Sequence, residues 1–225
     1  MAVLIHGGFW RARYDLRLED ALVADLASRG WAAWNIEYRR LGWRSGGGWP
    51  ATFEDVAGAI DMLGRLEESL DLARVVAIGH SAGGHLAFWA AARSGLPAGS
   101  PGAEPRIRLA GVVAQAGVLD LREASRLGLS QRAAESLLGG SPMKWPARYD
   151  AASPIERLPL GVPQLVVHGD DDEDVPISIA RGYAERAAAA SDPCEFVELA
   201  GYGHLEHLDP TSAAWRTVTA WLEQR

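Results

Sequence analysis

The stretch Val75-Val76-Ala77-Ile78-Gly79-His80-Ser81-Ala82-Gly83 places a serine between two glycines at the end of an apolar run. The residues that follow, 82–93, are good helix formers, so the pattern indicates a strand, a sharp turn and a helix. Such a turn exposes the serine oxygen, and only small flanking residues avoid a steric clash there. The stretch therefore predicts a parallel βα unit that carries a candidate nucleophile, Ser81.

The same alternation of strand-length apolar runs and helical segments extends over the whole chain. It predicts an α/β fold, with a mostly parallel central sheet and helices on both faces. We expect strands over residues 2–6, 31–38, 75–79, 109–115, 164–168 and 196–199, and helices over residues 16–29, 53–70, 82–93, 179–190 and 211–223.

The chain of 225 residues predicts a single domain, residues 1–225. Residues 121–154 interrupt the alternation, because they combine one helical stretch around 131–138 with glycines and prolines and contain no clear strand. We expect this segment to be a short helical lid inserted after the fourth predicted strand.

The composition excludes several classes of partner. There are 29 acidic and 22 basic residues, so the net charge is −7, the wrong sign for binding nucleic acid or an anionic membrane. A small-molecule substrate is therefore expected, with no nucleic-acid or membrane partner. The single cysteine, Cys194, forms no internal disulfide, and there is no zinc-binding pattern, apolar span or signal-peptide layout. We expect a cytoplasmic protein without a metal or other cofactor.

A serine nucleophile needs a base and an acid that orients the base. In folds with this turn the chain order is Ser, then Asp or Glu, then His, each after a late strand. His204 follows the strand expected at 196–199, and an acidic cluster follows the strand expected at 164–168. We expect Asp172 to orient His204, and the other acids of the cluster stay open as alternatives: Asp170, Asp171 and Asp174.

The run His6-Gly7-Gly8-Phe9-Trp10 follows the first expected strand. Consecutive glycines let backbone N–H groups approach a developing oxyanion, so Gly8, and next to it Phe9, are expected to donate together with Ala82. Three further side chains are predicted to line the substrate pocket: Trp10, His80 and Trp49.

Together, His-Gly-Gly-Phe-Trp, Gly-His-Ser-Ala-Gly-Gly, His-Gly-Asp-Asp-Asp-Glu-Asp-Val-Pro and Gly-Tyr-Gly-His resemble the α/β-hydrolases of the esterase and kynurenine formamidase (arylformamidase) type. The resemblance implies a serine hydrolase with an eight-stranded sheet and a triad of Ser81, Asp172 and His204. We expect hydrolysis of small carboxylic esters through an acyl-enzyme. The alternatives are an amidase of the formamidase type and, from another class, a non-catalytic binding protein on the same fold.

One departure concerns the N-terminal strands, because members of this family have strands before the His-Gly-Gly strand and this sequence has that strand at residue 2. We expect a shortened sheet or a chain that starts late. An unpaired strand edge invites association. The strand at 2–6 is therefore expected to pair inside the sheet or to be covered by a second copy in a homodimer.

Overall fold

The computed structural model describes residues 1–66 and 70–225. Its centre is a sheet of six parallel strands in the order β2-β1-β3-β4-β5-β6, and all six expected strands are present. The strands are β1 (Ala2–Ile5), β2 (Ala33–Ile36), β3 (Val76–His80), β4 (Gly111–Gln115), β5 (Gln164–Gly169) and β6 (Cys194–Leu199). Because all are parallel, their carboxyl ends meet along one edge of the sheet.

Eight α-helices occur in the described residues. They are α1 (Asp20–Ser28), α2 (Ala51–Asp61), α3 (Ala82–Ala91), α4 (Leu121–Leu127), α5 (Leu129–Leu138), α6 (Pro146–Ala152), α7 (Ser178–Ala189) and α8 (Ala213–Glu223). The helix expected at 16–29 is divided into a 3₁₀ turn, Leu16–Glu19, and α1. The helix expected at 53–70 ends earlier, in the 3₁₀ turn Met62–Arg65, and residues 67–69 lie outside the described part of the chain.

Helices cover both faces of the sheet, which explains why the strands are apolar on both sides. Alternate residues of β1 enter different clusters: Val3 and Ile5 pack with α2, α3 and α7, whereas Leu4 packs with α1 and α8. These two clusters form the core of the α/β fold. No helix in the described ranges has the length and apolar character needed to cross a membrane.

β1 was expected to pair inside the sheet or to be covered by a second copy, and the structure shows the first arrangement. β1 pairs with β2 on one side and with β3 on the other, so it lies inside the sheet and neither of its edges is open. The outer strands are β2 and β6, and the six strands found in the described residues are fewer than the eight that the resemblance implies. β1 therefore offers no open edge through which a homodimer could form.

Residues 121–154 contain three short helices, α4, α5 and α6, where the sequence predicted one. The difference arises at the start of α5, where Ser130, Gln131 and Arg132 have left-handed backbone conformations (φ 44°, 56° and 59°). A run of three such residues without glycine cannot be recognised from a pattern of polarity in the sequence, and it forms a kink within α5.

Candidate active site

Ser81 lies between the end of β3 and the start of α3, at the carboxyl edge of the sheet. Its φ of 54° is unusual for a residue other than glycine and is characteristic of a sharp strand-to-helix turn. A Cβ on Gly79 would lie 2.2 Å from the Gly83 carbonyl, and a Cβ on Gly83 would lie 1.8 Å from the Ile5 oxygen. Both glycines are therefore required for the turn to close against β1.

Asp172 and His204 meet at the same edge, where they follow β5 and β6. The Nδ1 of His204 is 2.8 Å from the Oδ2 of Asp172. The Oδ1 of Asp172 accepts hydrogen bonds from the backbone N–H groups of Asp174 (2.9 Å) and Val175 (2.8 Å). Since a carboxylate only accepts, His204 carries its proton on Nδ1, and its Nε2 is available as a base.

A second histidine also contacts Asp172. The Nε2 of the fully buried His168 lies 2.8 Å from the Val175 oxygen and 3.1 Å from the Oδ2 of Asp172. Burial favours the neutral carboxyl of Asp172, but the hydrogen bonds from His168 and His204 outweigh it and hold its pKa well below the ordinary value. Asp172 is therefore ionised throughout the neutral range and can stabilise a protonated His204.

The structure does not join Ser81 to this pair by a hydrogen bond. Within the described residues, the buried Oγ of Ser81 has no hydrogen-bond partner. The His204 ring lies against the residue before Ser81, with 4.7 Å between the ring centres of His80 and His204. Hydrogen bonds to a nucleophile are often long before substrate binds and tighten in the complex with substrate.

His80 was expected to line the pocket, and the structure places it elsewhere. Only 2% of its surface is exposed, and its Nε2 donates to the backbone oxygen of His204 at 2.8 Å. Burial, followed by the nearby His204 and His207, keeps its pKa well below the ordinary value, so His80 is neutral. His80 therefore supports the loop that carries His204.

The glycine loop after β1 lies directly against the turn at Ser81. A Cβ on Gly7 would be 2.9 Å from the backbone oxygen of His80, so only glycine fits there. Gly8 and Phe9 both have positive φ, 102° and 48°. Among the described residues, the N–H groups of Gly8, Phe9 and Ala82 donate no hydrogen bond to the protein. These donors are free to bind an anionic oxygen next to Ser81.

Polar contacts behind this loop hold it in place. The Nδ1 of His6 is 2.8 Å from the Gly7 oxygen, and its Nε2 is 2.9 Å from a carboxylate oxygen of Glu37. The Tyr38 ring stacks on His6 with 4.3 Å between ring centres, and its hydroxyl donates to the His6 oxygen. The backbone at the end of β1 is thus fixed from β2, which anchors the start of the glycine loop.

The expectation that Trp10 and Trp49 line the pocket is also not met. Trp10 is 1% exposed, and its indole N–H donates to the Nδ1 of His85 (3.2 Å) in the core. Trp49 is half-buried, and its ring packs edge-on against Phe53, 5.1 Å between centres. The positive φ of Trp10, 58°, turns its side chain inward, and periodicity in the sequence carries no signal for that.

A cleft of about 550 Å³ opens beside the glycine loop. Its walls come from the loop after β1, from the segment between α4 and α5, and from the acidic loop after β5. The residues that line it are Gly8, Phe9, Arg11, Arg13, Tyr14, Leu127, Gly128, Leu129, Ser130, Gln131, Glu173 and Asp174. Apart from Gly8 and Phe9, sequence reasoning missed these residues as pocket residues, although their positions in three loops at the carboxyl edge were a usable signal.

The parallel sheet, the turn at Ser81 and the loops that carry Asp172 and His204 define the class of the protein as an α/β-hydrolase. The family model described as BD-FAE matches residues 1–186, and the chain belongs to that family. The chain is 28% identical over 215 residues to esterase LipC of Mycobacterium tuberculosis, with 90% of this chain and 52% of LipC covered. It spans about half the length of the curated relatives it matches.

Solved structures share the fold. A truncated carbohydrate esterase from gut microbiota superposes with a TM-score of 0.82 at 22% identity, over 99% of this chain and 84% of that one. A propionate-bound thermophilic esterase, Est2 of Thermogutta terrifontis, superposes with a TM-score of 0.76 at 26% identity, over 99% and 80% of the two chains. The first likeness shows the fold alone.

Proposed function

We propose that this chain is a serine carboxylic-ester hydrolase in which Ser81 is the nucleophile, His204 the base and Asp172 the acid that orients it. The observation that carries the proposal is the 2.8 Å contact between His204 Nδ1 and Asp172 Oδ2, made by loops that end beside the strained turn at Ser81. The names of similar proteins, which include esterases, support the same reaction.

Acylation follows from this geometry. His204 Nε2 takes the proton of the Ser81 hydroxyl while Oγ bonds to the ester carbonyl carbon, and the carbonyl electron pair moves onto oxygen. The N–H groups of Gly8, Phe9 and Ala82 stabilise that oxyanion. When the carbonyl re-forms, the bond to the alcohol oxygen breaks, and His204 gives its proton to the departing alcohol.

Deacylation repeats the sequence with water. His204 Nε2 removes a proton from water, the hydroxide oxygen bonds to the acyl carbon, and collapse releases the carboxylic acid as the proton returns to Ser81. Throughout, the ionised Asp172 stabilises the positive charge that His204 acquires in each transition state, since its pKa lies well below the ordinary value.

The cleft suggests the kind of ester. Phe9 and Tyr14 line it beside the glycine loop, and Gln131, Glu173 and Asp174 line its other walls. A short acyl group on a polar alcohol fits these walls. The similar Est2 structure is described as propionate-bound, which agrees with a short acyl group.

The deciding experiment is labelling with a fluorophosphonate probe, read by intact-protein mass, together with hydrolysis of p-nitrophenyl acetate. Wild type takes up one probe per chain, and Ser81→Ala loses both labelling and hydrolysis. The exposed Ser136→Ala is the matched control and retains both. Labelling that persists in Ser81→Ala would refute the assignment, and absence of any hydrolysis by wild type would favour a binding protein.

The formamidase alternative uses the same residues, but an amide nitrogen leaves only after His204 protonates it. The same assay run with N-formyl-kynurenine separates the two. A kcat/KM for the formamide that exceeds the value for p-nitrophenyl acetate would replace the esterase proposal by the amidase.

A further inference from the structure

Exposed apolar side chains occur in and next to the segments that form the cleft. Seven large apolar side chains are exposed in the described residues: Tyr14, Trp43, Met62, Leu127, Met143, Trp145 and Leu205. Tyr14 and Leu127 line the cleft itself, Trp43 lies in the loop after β2, and Met143 and Trp145 lie between α5 and α6. Met62 lies past the end of α2, and Leu205 lies in the loop after β6. Scattered apolar residues on a surface are ordinary, but their concentration around one cleft marks a contact surface.

Five of these side chains lie on segments that are joined by hydrogen bonds, here called the apolar rim: Tyr14, Trp43, Leu127, Met143 and Trp145. Trp49 N–H donates to the Leu137 oxygen at 2.7 Å, and the Trp145 indole N–H donates to the Gly139 oxygen at 3.1 Å, which joins the loop after β2 to the end of α5 and to Trp145. Ala12 N–H donates to the Leu41 oxygen at 2.8 Å, which joins the loops after β1 and β2. The Arg11 guanidinium donates to the Ser130 oxygen, which joins the loop after β1 to the segment between α4 and α5. Tyr14 and Leu127 also line the cleft, so the rim borders its mouth.

Each aromatic residue of the rim carries a cation over its ring. The guanidinium carbon of Arg13 is 5.5 Å from the centre of Tyr14, that of Arg44 is 5.1 Å from Trp43, and that of Arg148 is 3.9 Å from Trp145. Lys144 lies 5.7 Å from Trp145 on the same loop. In the part of the chain that is described, none of these four cations forms an ion pair with a carboxylate of the protein.

The acidic residues after β5 belong to a different loop from the rim, and two of them, Glu173 and Asp174, line the same cleft as Tyr14 and Leu127. Residues 170–174, which are all acidic, follow β5, whereas the rim belongs to loops after β1, β2 and β4. The net charge of −7 that argued against an anionic surface is a total for the whole chain and does not describe the charge of the rim. Locally, the rim presents aromatic rings, aliphatic side chains and cations without carboxylate partners.

We propose that the apolar rim docks the protein onto an anionic lipid surface, so that the cleft faces esters held there. Tryptophan and tyrosine are favoured at the headgroup level of a bilayer, and arginine and lysine are attracted to anionic lipids. Two aliphatic side chains, Met143, which is 95% exposed, and Leu127, favour a lipid over an acidic polysaccharide as the partner. Sugars stack on aromatic rings and gain no binding energy from aliphatic side chains. The substrate part of this proposal rests on the proposed esterase function, whereas the docking does not.

The test is flotation of the whole chain with phosphatidylcholine vesicles, with and without phosphatidylglycerol. We expect binding only to vesicles that contain phosphatidylglycerol, and weaker binding at high salt. Trp43→Ser, which removes a ring that is 89% exposed, should weaken binding by about tenfold. Arg44→Gln should weaken it by about fivefold. Met62→Ser is the matched control, because it removes an exposed apolar side chain outside the rim.

Hydrolysis of soluble p-nitrophenyl acetate should be unchanged in Trp43→Ser and Arg44→Gln, which shows that they fold. Ser81→Ala should bind vesicles as wild type does, so failure of the esterase proposal and failure of docking are separate results. Equal binding by wild type and Trp43→Ser, or no binding to either vesicle, would overturn the proposal. Binding to polygalacturonate without binding to vesicles would assign the rim to a polysaccharide, and a dimer that Trp43→Ser abolishes would assign it to a second copy.

Discussion

Glu19→Gln should change how stability depends on pH. Glu19 is 1% exposed at the end of the 3₁₀ turn before α1, and neither carboxyl oxygen has a hydrogen-bond partner among the described residues. Burial raises its pKa from 4.5 to about 8. Between these two values the folded state keeps a proton that the unfolded state has released. The free energy of unfolding therefore falls as pH rises, by about 1.4 kcal/mol per pH unit.

From about pH 5 to about pH 8 this one group costs on the order of 4 kcal/mol of stability. Urea unfolding at both pH values measures the loss, and wild type should lose that much more than Glu19→Gln. Buried histidines such as His85, whose pKa burial lowers to about 4, act with the opposite sign but cancel in the comparison. The exposed Glu185→Gln is the control and should follow wild type. If Glu19→Gln and wild type lose equal stability, the carboxyl is hydrated or paired and the reasoning is wrong.

Three further predictions concern the candidate site. Asp172→Asn should lower kcat for ester hydrolysis by on the order of 10⁴-fold, whereas the exposed Asp171→Asn should have little effect. The reverse result would assign the role of the orienting acid to Asp171. Gly8→Ala should lower kcat by roughly 10²–10³-fold, because the new Cβ would lie 2.4 Å from the Tyr14 ring at a φ of 102°. A normal kcat would show that Gly8 does not bind the oxyanion. Because the aromatic rings of Phe9 and Tyr14 line the cleft beside the glycine loop, kcat/KM for p-nitrophenyl esters should fall from acetyl through butyryl to octanoyl, and a maximum at octanoyl would indicate a lipase-like pocket.

The sequence was sufficient for the inner strands of the sheet because they are apolar runs that are buried on both faces, whereas β2 and β6 at its edges are only partly buried. All six strands were predicted, and β2 is shorter than expected because only Ala33–Ile36 pairs with β1. The placement of Ser81, Asp172 and His204 at one edge also follows from sequence, since each residue directly follows a parallel strand. Their roles as a triad stay a prediction until the labelling and substitution experiments are done.

The substrate-pocket residues were not predictable in the same way. A side chain in a loop points according to individual φ values, and Phe9 and Trp10 both adopt positive φ, which sends the Trp10 indole to His85. His80 depends on a contact with the oxygen of His204, 124 residues later in the chain. Neither the positive φ values nor this long-range contact can be read from composition or periodicity. Both determine which side chains line the cleft.

The pairing of β1 between β2 and β3 has a consequence for how the protein folds. β1 is bonded to a strand about 30 residues later and to another about 75 residues later. His204 follows β6, so its position depends on the pairing of β6 with β5. Contacts this distant in sequence are slow to form, because the chain must close long loops before any of them stabilises it. The helical circular-dichroism signal should therefore recover early during refolding, and hydrolytic activity should return last, when β6 joins β5. The time at which activity returns then reports when the sheet is complete.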